Sequence, residues 1–212
     1  MSAPPVNLWT ECDHARSYLE RRKQMPHRQE GYAVLLEFVP KQPARVLDLG
    51  CGDGEVIGRI VDARPGIAAI ACDFSAEMLE RARARFAGTD VDVVKHDLDQ
   101  PIPSDWGKFD AIVSAFAIHH VVDERKRALS CEVFEHLSPS GVFLNLEHVA
   151  SPTPELHADF LGAIGADQDD PSNKLVAVET QLQWLRDLGF EQVDCHWKWR
   201  EMALVGGVKP AA

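Results

Sequence analysis

Between residues 45 and 149 the chain alternates short apolar runs with segments of helical periodicity. The runs "RVLDL", "GIAAIACD", "VDVVKHD", "FDAIVSAFA" and "GVFLNLEHV" are separated by stretches whose apolar residues return every three or four positions. Val56, Ile57, Ile60 and Val61 share one helical face, and Met78, Leu79, Ala82 and Phe86 another in a helix opening at Ser75. Leu129, Val133 and Leu137 define a third. Near-continuous apolar strands, each followed by an amphipathic helix, bury both sheet faces, which predicts an α/β fold around a parallel sheet.

The flanks read differently. Residues 8 to 39 form two helical pieces divided at Pro26, and residues 1–41 are assigned to an N-terminal helical cap ahead of a domain spanning 42–212. Residues 151 to 178 carry one short helix candidate between turn-rich ends and read as an insertion beside a site. A last helix, "ETQLQWLRDLGF", closes on Gly189, after which "EQVDCHWKW" and "EMALVGGV" can pair as strands.

In an open α/β sheet, ligands bind beyond the carboxyl ends of the strands. There the chain reads "DLGCGDGEV", with Gly50, Gly52 and Gly54 at alternate positions. Glycine loses more backbone freedom on folding than any other residue, so this density implies that side chains there would obstruct a partner. The order G-x-G-x-G departs from the G-x-G-x-x-G of dinucleotide sites, and Asp48 and Glu55 oppose a pyrophosphate while suiting an ammonium or sulfonium. A nicotinamide-dependent oxidoreductase is disfavoured accordingly. The second strand ends at Asp73, placed to accept ribose hydroxyls, with Phe74 beside it to pack on a base. The third ends in "HDLD", where Asp97 can accept from an adenine amine.

With these residues in order, the sequence resembles the class I S-adenosylmethionine-dependent methyltransferases. "VLDLGCGDG", "IACDFSAEML", "VVKHDLDQPIP", "FDAIVSAFAIHHV", "LSPSGVFLNLE" and "WLRDLGFEQVD" carry the resemblance across roughly residues 42 to 208. It implies a Rossmann-like, doubly wound, seven-stranded, mostly parallel sheet whose last strand is antiparallel. It also implies S-adenosylmethionine as cofactor and S-adenosylhomocysteine as product. By similarity Asp48, Gly50, Gly52 and Gly54 serve the methionine end, Asp73 the ribose, and Asp97 and Leu98 the adenine, with Phe74 packing on the base and Ser114 on the fourth strand a further cofactor candidate. Ser140 stands where many relatives have a second glycine before the fifth strand.

The acceptor is less legible. His119 and His120 follow the fourth strand and are the candidates for a general base, with packing or a supporting hydrogen bond as the competing role. Glu147 and His148 end the fifth strand, and Trp199 lies on the alternating "CHWKWR" strand; all three are candidate substrate contacts. His119, His120, Glu147 and His148 also supply nitrogen and oxygen donors from neighbouring strand ends, but no H-E-x-x-H spacing is present and no metal is assigned. Arg28, in "MPHRQEGY", is a candidate partner for the cofactor's carboxylate.

Composition narrows the partners. Thirty-three acidic against 22 basic residues give a formal charge of -11, which opposes a nucleic-acid backbone. Five scattered cysteines without C-x-x-C, and no apolar run long enough to cross a bilayer, fit a cytoplasmic protein with no membrane partner. The reading is therefore a methyltransferase acting on a small molecule as monomer or homodimer. A protein methyltransferase and a non-catalytic S-adenosylmethionine-binding module are the alternatives.

Overall fold

The computed structural model describes residues 25–211. The first of the two expected N-terminal helical pieces lies outside this range; the second is α1 (Arg28–Phe38). The chain continues through β1 (Arg45–Leu49), α2 (Glu55–Ala63), β2 (Ala68–Asp73), α3 (Ala76–Arg85), β3 (Val91–Lys95) and β4 (Phe109–Ala115). One 3-10 turn, Ser104–Trp106, precedes β4, and a second at Ile118–His120 leads to α4 (Asp123–His136) and β5 (Leu137–His148). The remainder is α5 (Pro154–Ala163), α6 (Val178–Asp187), β6 (Glu191–Trp199) and β7 (Met202–Val208).

The seven strands form one sheet in the order β3-β2-β1-β4-β5-β7-β6. β1 pairs in parallel with β2 and β4, β2 with β3, and β4 with β5, whereas β7 runs antiparallel to both neighbours. The order reverses between β2-β1 and β4, so the carboxyl ends of β1 and β4 diverge and leave a crevice between the loops that follow them.

Two apolar layers cover the faces. Tyr32, Leu35, Val56, Ile57, Ile60 and Phe86 belong to one buried cluster with Val46, Ala69 and Val113 of the strands. Leu129, Val133 and Leu185 belong to the other with Leu47, Leu49 and Ile112. Alternate strand residues thus feed opposite layers, as the pleat requires. One sequence expectation is corrected: Leu137 is not the last turn of a helix but the first residue of β5, paired with Phe109. Between Phe109 and Ala111 the register slips, and Ser140 absorbs the irregularity in the left-handed region at φ 61, the conformation for which glycine is the usual choice. Its N–H donates to Lys209 O at 3.0 Å, which holds it there.

Candidate active site

A cavity of about 210 Å³ opens at the crevice between the β1 and β4 loops. Its floor is built from the first strand end. Asp48 is 1% exposed; its Oδ2 accepts the Ile57 N–H at 3.3 Å, and its Oδ1 is buried with no partner. Burial pushes the Asp48 carboxyl up to about 7, with the nearby Asp73 adding to the rise and the Ile57 bond opposing it. A buried carboxylate with an open acceptor on a cavity wall matches a cationic ligand group, and this is the fit the cofactor's ammonium and sulfonium require.

The glycines of the loop divide their labour. Gly52, at φ 55, has open space where a Cβ would stand and lines the cavity; its N–H donates to Asp73 Oδ2 at 2.9 Å. Gly54, at φ 81, does not line it: a Cβ there would lie 2.3 Å from Phe86 Cε2, so this glycine serves the packing of α2 on α3 rather than a ligand. Of the three loop glycines, Gly50 and Gly52 therefore line the cavity and Gly54 does not.

Asp73 closes the second strand. Its two oxygens accept from Gly52 N and Ser75 N, at 2.9 and 2.8 Å, which locks the carboxylate against both the glycine loop and the start of α3. Burial raises its pKa, and those backbone donors pull the other way. Gly50, Phe74, Asp97 and Leu98 complete this side. The loop bearing Asp97 is held from α4: Arg125 Nε donates to Leu98 O at 2.7 Å while its guanidinium grips Glu132 at 2.5 and 2.8 Å.

Arg28 is buried at the opposite wall, as α1 begins. Its Nε donates to Tyr32 Oη at 2.7 Å and its guanidinium carbon stands 4.1 Å from the Phe116 ring centroid. Phe116 itself adopts φ 55 with its N–H bonded to Leu146 O, so the aromatic platform is fixed by an uncommon backbone conformation at the end of β4. Nothing in the "SAFA" stretch marked Phe116 as special; only the turn geometry does.

The two histidines separate. His120 lines the cavity, and His119 does not. His119 is buried behind it, ring centroids 3.9 Å apart, with Nδ1 2.5 Å from Glu147 Oε1. Burial holds His119 well below the ordinary imidazole range and lifts Glu147 to about 7. Burial also lowers His120, to about 3, so its imidazole is neutral at any physiological pH.

Four other residues singled out from the sequence stand off the cavity wall. Ser114 is fully buried and donates to Leu49 O at 2.8 Å, bracing the glycine loop from behind. Glu147 pairs with His119, and His148 Nε2 lies 2.8 Å from Glu201 Oε2. Trp199 stacks on His27 at 4.7 Å and meets Phe160 of α5 edge-on. Trp199 thus joins the start of α1 to α5, His148 shares the Glu201 carboxylate with His157 of α5, and Glu147 supports the turn that carries His119. The sequence reading in turn missed Ser172 and Lys174, which the insertion delivers to the cavity. Among the described residues no group of three or more His, Cys, Asp or Glu side chains could hold a metal ion.

A family profile described as a methyltransferase domain matches residues 46–141. Demethylmenaquinone methyltransferase of Clavibacter sepedonicus is 30% identical over 198 residues, 84% of this chain and 79% of that protein. The bovine 18S rRNA (guanine-N(7))-methyltransferase is 32% identical over 127 residues, covering 58% of this chain and 44% of its own length. Among solved structures, human N-acetylserotonin methyltransferase in complex with S-adenosylmethionine superposes with a TM-score of 0.67 at 19% identity, over 99% of this chain and 61% of that one. The chain belongs to the class I S-adenosylmethionine-dependent methyltransferases. It is an enzyme of that family, with S-adenosylmethionine as its cofactor; no described helix is long and apolar enough to cross a membrane.

Proposed function

We propose that this methyltransferase acts on a small molecule, that residues 42–212 form its catalytic domain, and that residues 1–41 cap it. The observation carrying the reading is that one cavity is walled by three consecutive strand ends on one side and by Arg28, Phe116, His120, Ser172 and Lys174 on the other. A compact hollow of this kind suits a ligand that enters whole, and the formal charge of -11 gives no general attraction for a nucleic-acid backbone.

When bound, S-adenosylmethionine supplies an already activated methyl group on a sulfonium. The chain's residues bind and orient. Asp48, with its open Oδ1, takes the cationic end, and Arg28 the carboxylate of the same portion. Asp73 accepts from the ribose hydroxyls, and Asp97 with Leu98 and Phe74 receives the adenine. Leu98, Phe116 and Val121 exclude water, so the remaining requirement is alignment of the acceptor.

The test is transfer of radiolabel from methyl-labelled cofactor into cell extract fractionated by size, with Asp73→Ala as control. Label in the small-molecule fraction, lost in the variant, is the expected result. Label confined to protein or RNA would overturn the substrate class, and tight cofactor binding with no label in any fraction would favour a non-catalytic binding role.

A further inference from the structure

We propose that Lys174, delivered by the insertion between β5 and α6, is an anion-binding residue for the acceptor, so that the molecule to be methylated carries an ionised oxygen group, of which a carboxylate is the simplest case. The proposal rests on the small-molecule reading above.

The charges around the cavity are divided by origin. Among the described residues that line it, the carboxylates are Asp48, Glu55, Asp73, Asp97 and Asp99, and all of them come from the ends of β1, β2 and β3 and the segments directly after those strands. That half meets the cationic end, the ribose and the adenine of the cofactor. The opposite wall carries Arg28, Phe116, His120, Ser172 and Lys174, and no described carboxylate lines it. Arg28 is assigned above to the cofactor's own carboxylate. Lys174 is then the cation of the acceptor side.

The partners of the ammonium are polar but uncharged. Lys174 Nζ donates to the His120 carbonyl at 2.6 Å and lies 3.4 Å from that of Ser172, and both residues belong to the same wall. An ammonium has three hydrogens to give, and two carbonyls neither use them all nor cancel the charge. The neighbouring Lys126 shows the contrast: its Nζ is matched by Asp123 Oδ1 at 2.9 Å, whereas Lys174 forms no ion pair among the described residues. The lysine is also held in place. Its N–H donates to the His119 carbonyl at 2.8 Å, and Ser172 Oγ lies 3.0 Å from His120 Nδ1, so the insertion is clamped to the 118–120 turn on both sides of the ammonium. Phe116, Val121 and Val122 make the adjoining surface apolar. A half-buried cation beside apolar side chains gains more from an anion than the same cation in open water, because the attraction is less screened and the bond is charge-assisted.

Binding tests the proposal without turnover. Protein saturated with S-adenosylhomocysteine is titrated calorimetrically with 1-naphthoate and with 1-naphthamide, which share size and shape and differ by one negative charge. The naphthoate should bind about tenfold more tightly, the worth of one charge-assisted hydrogen bond, and added salt should shrink that ratio. Lys174→Gln, which keeps a donor for the His120 carbonyl and removes the charge, should bring the two affinities together, while Lys174→Arg should retain the preference. Equal affinities in the wild type, or binding of neither probe, overturns the proposal, and neither result depends on a variant's folding. A preference that persists in Lys174→Gln overturns the assignment to this lysine. Weaker binding of S-adenosylhomocysteine itself by Lys174→Gln, at an unchanged melting temperature, would move the lysine to the cofactor's carboxylate and overturn the proposal as well. A charge preference without any label transfer would leave this inference standing and remove the catalytic reading; label transfer to small molecules without a charge preference would do the reverse.

Discussion

His148 at the end of β5 and Glu201 just before β7 are joined, Nε2 to Oε2, at 2.8 Å, and the same carboxylate receives His157 Nδ1 of α5 at 2.9 Å and the Ser151 hydroxyl. Glu201 is 1% exposed, so three polar side chains converge on a carboxylate that water scarcely reaches. The insertion is anchored to the sheet by this hub as well as by the Phe160 ring against Trp199.

Replacing Glu201 by Gln should loosen α5. The hydrogen bonds from His148, Ser151 and His157 hold the carboxyl below its ordinary range against the opposing effect of burial. A group with a depressed folded-state pKa stabilises above its unfolded pKa, and that contribution is lost as pH falls through the folded value. The variant should lose about 1.5 to 3 kcal/mol at neutral pH, show a shallower decline than wild type on acidification, and exchange amide hydrogens faster across 154–163. Unchanged exchange there would remove the anchoring role.

Asp48 carries the opposite sign. Its folded-state pKa is raised, so its contribution is full below the unfolded value near 3.8, declines as pH rises, and is gone above about 7. Ligand-free wild type should lose on the order of 4 kcal/mol of stability across that window, Glu147 adding a decline of the same sign, while Asp48→Asn keeps only the remainder. Cofactor affinity should rise over the same window in wild type and stay flat in the variant. Calorimetric titrations at several pH values check both.

Removing the Asp73 carboxylate should act on binding more than on folding. Asp73→Ala gives up two backbone bonds and the ribose acceptors together, and about 1.5 to 3 kcal/mol of cofactor affinity with them. Isothermal titration with S-adenosylhomocysteine measures it; wild-type affinity in the variant would refute the assignment.

The loop glycines should separate under substitution. Gly54→Ala adds a Cβ 2.3 Å from Phe86 and should destabilise by about 2 to 4 kcal/mol, visible in thermal denaturation without ligand. Gly52→Ala meets open space and bears only the cost of a positive φ, about 1 to 2 kcal/mol, so its larger effect should be on cofactor binding. Equal effects on melting would contradict the division of labour.

The sheet and its ligand end were legible because both follow from local patterns. Apolar runs located the parallel strands, and Asp48, Asp73 and Asp97 fell near successive strand ends, the first inside β1, the second closing β2 and the third two residues past β3. What resisted reading was every contact made across long sequence separations. Nothing adjacent to Ser172 announces that it meets His120, 52 positions earlier. Glu147 and His148 looked like one site, yet a strand sends successive side chains to opposite faces, and they answer to different partners. The α4–β5 boundary failed because Leu137 satisfies the helical period of Leu129 and Val133 equally well, and only pairing with Phe109 decides.

The clamp formed by Lys174 has a consequence for how this chain can vary. Because the segment after Asp170 is stapled to the 118–120 turn and the segment before Ala163 is pinned through His157 and Phe160, the stretch between them, about Gly165 to Gln168, bears neither attachment. Residues can be inserted or removed there with small entropic cost and without shifting either wall of the cavity. It is the natural seam for grafting a foreign loop, whereas a change of length between Asp170 and Lys174 would turn the hydroxyl of Ser172 away from its histidine.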